Sequence, residues 1–337
     1  MAFKVVEFVA GLILALATLR DVFGTVVAPG PARSGLKVSR RLIRSALVAR
    51  RRAPWSNGLS RNFAPLMLVA SFVSWLVLLG LGFGLMLLPL GSLFTPAIGS
   101  FGDAVFAAGG AMTTMGAAPW KAAGAARWVL LAASVCGLSV MTMAVTYVLE
   151  VQSGLHQREA GVLKLATDLG KPPTGVEILE MYARLGCPGE LVDLFREWRE
   201  WSAAVLQSHS AHPALIYFRS VTRLGDWTAA LGAVLDAACL DAVLLDEPTA
   251  GVAALAHRDG SRLALLVGRM LRVEPKPIEP PSAEALARVC GRLAAGGYRL
   301  KAAEDAAGRI VAMRRDYAGW LAAIAERIGL DGPALQI

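Results

Sequence analysis

Two uncharged apolar runs, Phe63 to Leu90 and Trp128 to Leu149, constrain this chain more than anything else in its 337 residues. They are 28 and 22 residues long. About 20 apolar residues suffice for a helix to cross the hydrocarbon core of a bilayer. Lipid cannot hydrogen-bond an open backbone, so such runs must be helical. The expected fold class is an all-α membrane protein, with three transmembrane helices and a re-entrant segment between the second and third. A C-terminal all-α cytoplasmic domain follows. The expected domains are an N-terminal helix over 1–29, a basic loop over 30–62, a membrane module over 63–152 and a helical domain over 153–337.

Met1 to Pro29 is apolar but carries Lys4, Glu7, Arg20 and Asp21. Its core from Phe8 to Leu19 also suits a signal peptide, with Ala15-Leu16-Ala17 as a cleavage mimic, or an interfacial helix. The adjoining segment favours a true span. Between Pro29 and Asn62 there are nine basic residues and no acidic one. A basic stretch between apolar segments marks the cytoplasmic side. That puts the N-terminus outside, the C-terminus inside and the protein in the cell (inner) membrane. The net charge of +8 is then a topology signal that anionic headgroups would attract, and no nucleic-acid partner is expected. Gly80, Gly82 and Gly84 follow no strand and read as helix-packing positions. Trp120 and Trp128 suit an interfacial aromatic belt.

Between the two runs lies FGDAVFAAGGAMTTMGAAPW, Phe101 to Trp120. It is too short and too rich in small residues to be a third full crossing. A helix over about 103–112 would direct the negative end of its dipole inward, which favours a cation. Its Ala and Gly residues would let several copies crowd round one axis. Thr113-Thr114-Met115-Gly116 closes the segment, and here the chain resembles the pore loop of the two-transmembrane potassium-channel family. That family runs a short pore helix into Thr-Thr-Val-Gly-Tyr-Gly-Asp. The resemblance covers residues 63 to about 152, and the match fails after Gly116, where Ala117, Ala118 and Pro119 stand.

The resemblance implies a homotetramer whose selectivity filter is Thr113, Thr114, Met115, Gly116, Ala117 and Ala118. Thr114 would offer its hydroxyl and carbonyl, and Gly116 an unusual backbone angle. Ala118 replaces the second filter glycine and would have to take a left-handed conformation at a cost of about 1 kcal/mol or more. Ala117 lacks the ring that props the filter, and Lys121 adds positive charge near the mouth. The expected function is a monovalent-cation channel with reduced or altered K+ selectivity. The alternative is a non-conducting membrane scaffold or sensor on a channel-like fold. Gly137 resembles a gating hinge and equally suits close helix packing. Glu150 would ring the inner mouth with carboxylates, or is simply a solvated helix-end charge. No cofactor is implied beyond the permeant cation, K+ being the expected one.

Residues 155–337 read as six to eight helices. Thr174-Gly-Val-Glu177 is a capping box, and Ser282 precedes an acidic first turn. Trp198 and Trp201 sit at helical spacing and read as core or subunit interface. Leu244 to Gly251 resembles a Walker-B segment, but no G-x-x-x-x-G-K-[ST] accompanies it, and Gly170-Lys171 lacks the first glycine. Ser208-His209-Ser210-Ala211-His212 reads as a capped helix junction. The cysteines Cys136, Cys187, Cys239 and Cys290 have no metal-ligand spacing. No enzyme is expected.

Overall fold

The computed structural model describes residues 2–26, 63–167, 174–218, 220, 226–301 and 305–330. The basic loop of 30–62 and Gly170-Lys171 lie outside the described residues. The chain divides into two compact units, Met1–Val151 and Gln152–Ile337.

The first unit holds α1 (Ala2–Val26), α2 (Phe63–Leu87), α3 (Phe101–Met112) and the first part of α4 (Gly124–Thr167). After Leu87 the chain tightens into a 3-10 turn, Leu88–Leu93, with Pro89 early in it. Proline lacks the N–H that a continuing α-helix would use, which ends α2 before Leu90. Two short strands follow, β1 (Phe94–Thr95) and β2 (Lys121–Ala122), paired antiparallel. They are a small departure from a purely helical expectation.

Helices α1 and α2 pack antiparallel, Gly11 meeting Gly82 and Asp21 meeting Trp75. A Cβ on Gly11 would strike the Gly82 carbonyl, and one on Gly82 would fall 3.1 Å from Gly11 O. Small residues let backbones approach this closely without a hydrophobic drive between helices. Gly84 is likewise filled by Val105 of α3, whereas Gly80 has nothing within 4 Å. Asp21 faces α2. It is buried, and Trp75 Nε1 donates to its Oδ2 at 2.9 Å. An apolar surface must otherwise leave a buried carboxylate unsatisfied, so this bond fixes how α1 rotates against α2.

Helix α4 runs unbroken for 44 residues, well past the Leu149 boundary that hydropathy suggests. The sequence has no proline between Pro119 and Pro172, and polarity alone does not stop a helix. Its later residues belong to the second unit. There Gly154 sits against Leu215 and Ser208, and Gly161 against the Trp201 ring. Arg158 is fully buried; its guanidinium donates to Phe218 O at 2.8 Å and Leu215 O at 3.1 Å and pairs with Glu159 at 2.8 Å. A buried charge needs this degree of satisfaction.

The second unit continues with α5 (Gly175–Arg184), α6 (Leu191–Ala211), α7 (Trp227–Leu244), α8 (Ala250–Leu271), α9 (Ala283–Ala295), α10 (Ala306–Arg315) and α11 (Ala318–Ile328). The Thr174–Glu177 capping box is present, with bonds of 2.8 and 3.2 Å. Ser282 caps α9 by accepting from Ala285 N at 3.1 Å. The sequence suggests three apolar helices long enough to cross a membrane; the described residues contain four, α7 being the fourth. It differs in kind. Of its apolar window 89% is buried, against 17% for α1, 33% for α2 and 22% for α4. A helix apolar all round is the central element of a core or a membrane span, and α7 is packed on all sides by its neighbours. It also carries Asp236, bonded to the Tyr317 hydroxyl and 3.1 Å from Arg314 Nε. Trp198 and Trp201 belong to this core, their rings 4.5 Å apart.

Candidate functional site

The segment from Ser100 to Ala123 is built by local rules. Ser100 caps α3: its Oγ accepts from Asp103 N at 3.0 Å and donates to Asp103 Oδ2 at 2.8 Å. An acidic first turn also suits the positive end of the helix dipole. Ala104, Ala107, Ala108, Gly110 and Ala111 are buried, so the small-residue face is the one that packs. The helix stops where Thr113 N donates to Gly109 O at 3.0 Å, and the Thr113 hydroxyl bonds the same carbonyl at 2.9 Å.

The backbone then folds back over the end of α3. Gly116 N donates to Gly110 O at 2.9 Å. Gly110 has to be glycine, because a Cβ there would strike the Gly116 carbonyl. Thr114 takes φ +63° and Gly116 φ +84°. The expectation that Ala118 would carry a left-handed angle is corrected: Thr114 carries it, and Ala118 has no positive φ. Ala118 precedes Pro119, and proline pushes the residue before it towards extended backbone. The far end of the loop is pinned by Trp120 N to Ala117 O at 2.9 Å and by the β1–β2 pair, in which Thr95 faces Lys121.

Thr113, Thr114, Met115, Gly116 and Ala118 are exposed in the single chain, Met115 at 63%, while Ala117 is half-buried. Trp120 does more than decorate an interface. Its ring meets Phe106 of α3 at 6.1 Å, nearly edge-on, and ties the loop to the helix. Trp128 is exposed at 73%. Gly137 on α4 faces the last residue of α3, where a Cβ would fall 2.6 Å from Met112 Cα and O. Glu150 is exposed on α4, and Lys121 is exposed in β2.

Residues 113–118 contain hydroxyls, a thioether and backbone carbonyls, with no ionisable side chain. Such a surface can coordinate a cation through oxygen and has no group for acid–base chemistry. Among the described residues no cluster of His, Cys, Asp and Glu could hold a metal ion. In the second unit, His212 caps the end of α6 and Pro213 opens the next turn. His209 is buried, with Nδ1 2.8 Å from Val205 O, and burial and the Arg158 charge push its pKa down to about 3. A neutral, enclosed imidazole is a packing group.

Two features of the site escape a reading of the sequence: the Gly110 close approach and the Phe106–Trp120 tie. The Gly109-Gly110 pair at a helix end was the available signal for the first. No protein-family model, curated protein or solved structure matches the chain.

Proposed function

We propose that the chain is one subunit of a homotetrameric monovalent-cation channel, with residues 113–118 lining the narrow path and K+ selectivity weaker than in the family it resembles. The N-terminus lies outside and the helical unit in the cytoplasm. The observation that carries this reading is the turn at the end of α3. Thr114 is β-branched yet left-handed, two residues before a left-handed Gly116. Holding such a residue there costs about 1–3 kcal/mol, and strain of this kind collects at functional sites. Exposed oxygen-bearing backbone at the negative end of a buried small-residue helix suits a ring of copies around a cation. Non-helical backbone at membrane depth is tolerable where it lines water.

One observation favours a second reading, a non-conducting scaffold or sensor. Within 113–118 the positive φ angles belong to Thr114 and Gly116, and Ala117 and Ala118, which stand where the resembled filter has Tyr and Gly, have none.

Two results test the proposal. Native mass measurement of the detergent-solubilised protein is expected to give a tetramer; a stable monomer or dimer contradicts it. The double substitution Ala117→Tyr with Ala118→Gly is expected to raise the preference for K+ over Na+, read as a reversal potential under bi-ionic conditions. Ala118→Gly alone is expected to do less, because it frees the backbone without bracing it. A conducting double variant with unchanged selectivity would confine the resemblance to the fold.

A further inference from the structure

The corner between α7 and α8 encloses a carboxylate that the fold leaves half satisfied. Asp241 stands in the last turn of α7 and is fully buried. Its Oδ2 accepts from the Thr249 hydroxyl at 2.7 Å, while Oδ1 is buried with no hydrogen-bond partner. Thr249 immediately precedes α8, and its hydroxyl goes to Asp241 instead of to that helix's first turn. The same corner is tied to the chain ahead of α10 by two backbone bonds, Asp246 N to Arg299 O and Lys301 N to Leu244 O, each 2.8 Å. The charged form of Asp241 is therefore held by one hydrogen bond, away from water and at the negative end of a helix dipole. Burial pushes its pKa up to about 6; the Thr249 bond and the Lys301 charge hold it down, and the Glu247 charge adds to the rise. The other titratable groups on this side are Tyr298, whose hydroxyl donates to Leu179 O of α5, and Cys187 and Tyr182 beside that phenol. Further back along α7, Arg314 and Tyr317 are engaged with Asp236.

We propose that Asp241 and Thr249 form a pH-sensitive latch on the α7–α8 corner, closed with the carboxyl protonated and loosened with it ionised. The latch is independent of conduction. A neutral carboxyl keeps the Thr249 bond and removes the charge that Oδ1 has no donor to share. An ionised one is relieved by opening, which lets water reach both oxygens at the expense of the Thr249 bond and the two backbone ties. A carboxyl whose pKa rises on enclosure, from 3.8 to about 6, favours the closed corner in full below its ordinary value. That preference is lost as pH rises through 6. Between about pH 5 and 7 the ratio of open to closed corner is expected to rise about tenfold, the linkage for that pair of values.

Hydrogen exchange of the full chain in detergent, followed across that pH range, tests the latch. The quantity compared is the protection factor, which divides out the intrinsic pH dependence of amide exchange and reports the opening equilibrium. Peptides carrying the Asp246 and Lys301 amides are expected to lose about tenfold in protection from about pH 5 to 7, while peptides of α6 and α11 keep theirs. Asp241→Asn is the same size, stays neutral and can still accept from Thr249. It is expected to hold the acid level of protection across the whole range. Thr249→Val leaves the ion without its one bond and is expected to move the midpoint of the loss to higher pH; a midpoint that stays or falls contradicts the latch. Flat protection at the corner in the parent protein overturns the proposal without recourse to any variant. An undiminished pH dependence in Asp241→Asn also overturns it, by assigning the effect to one of the chain's four histidines. Equal loss in α6 and α11 overturns it too, by making the event an unfolding of the whole unit.

Discussion

Asp236→Ala is expected to destabilise the second unit by about 3–5 kcal/mol, the range for breaking a buried charge pair from one side. Asp236 lies on α7, fully enclosed, and accepts from the Tyr317 hydroxyl while Arg314 Nε stands 3.1 Å away. Arg314 is its ion-pair partner in this enclosed network. Truncation would therefore leave a buried guanidinium and a buried phenol facing a void. Asp236→Asn keeps the size and can still accept from Tyr317, so its loss should be smaller. Urea unfolding of the full chain, followed by circular dichroism, ranks the two. An alanine variant as stable as the parent would mean that this network contributes nothing, and that α7 is held by apolar packing alone.

Gly137→Val should cost about 3 kcal/mol, the upper end of ordinary overpacking, and should abolish ion flux. The added side chain meets the backbone of Met112, not the tip of a flexible side chain. Met112 ends α3 and immediately precedes Thr113, so relief of the clash must move the start of the oxygen-bearing turn. Gly137→Ala should show the same two effects at smaller size. A glycine serving purely as a hinge would give another pattern, with altered opening and unchanged thermal stability. Melting temperature and flux measured on the same preparation separate the seat from the hinge.

The parts of the fold legible in the sequence are those set by local chemistry. Thr174 and Glu177 start α5 and Ser282 starts α9, each because a polar side chain satisfies an orphan N–H. The long apolar helices were legible because apolar runs of that length permit little else. Helix α7 shows the limit of that rule. Its composition resembles a span's, and only the packing of amphipathic neighbours around it distinguishes a core helix.

Elsewhere, tertiary contact overrides local preference. The resemblance implies left-handed strain at Ala118, which stands where the resembled filter has glycine, yet Pro119 follows Ala118 and the fold-back onto Gly110 puts the left-handed angle at Thr114. Hydropathy ends α4 at the first acid, whereas the helix continues because its later face packs Gly154, Arg158 and Gly161 against the second unit. The Asp21–Trp75 bond joins residues 54 apart, a pairing that no local pattern announces.

The central claim is that residues 113–118 form a cation path, and ion flux through the purified full-length protein in liposomes tests it most directly. The account predicts K+ flux above that of protein-free liposomes, with Na+ carried alongside it. No flux of either ion, from protein shown to be reconstituted as a tetramer, would contradict it.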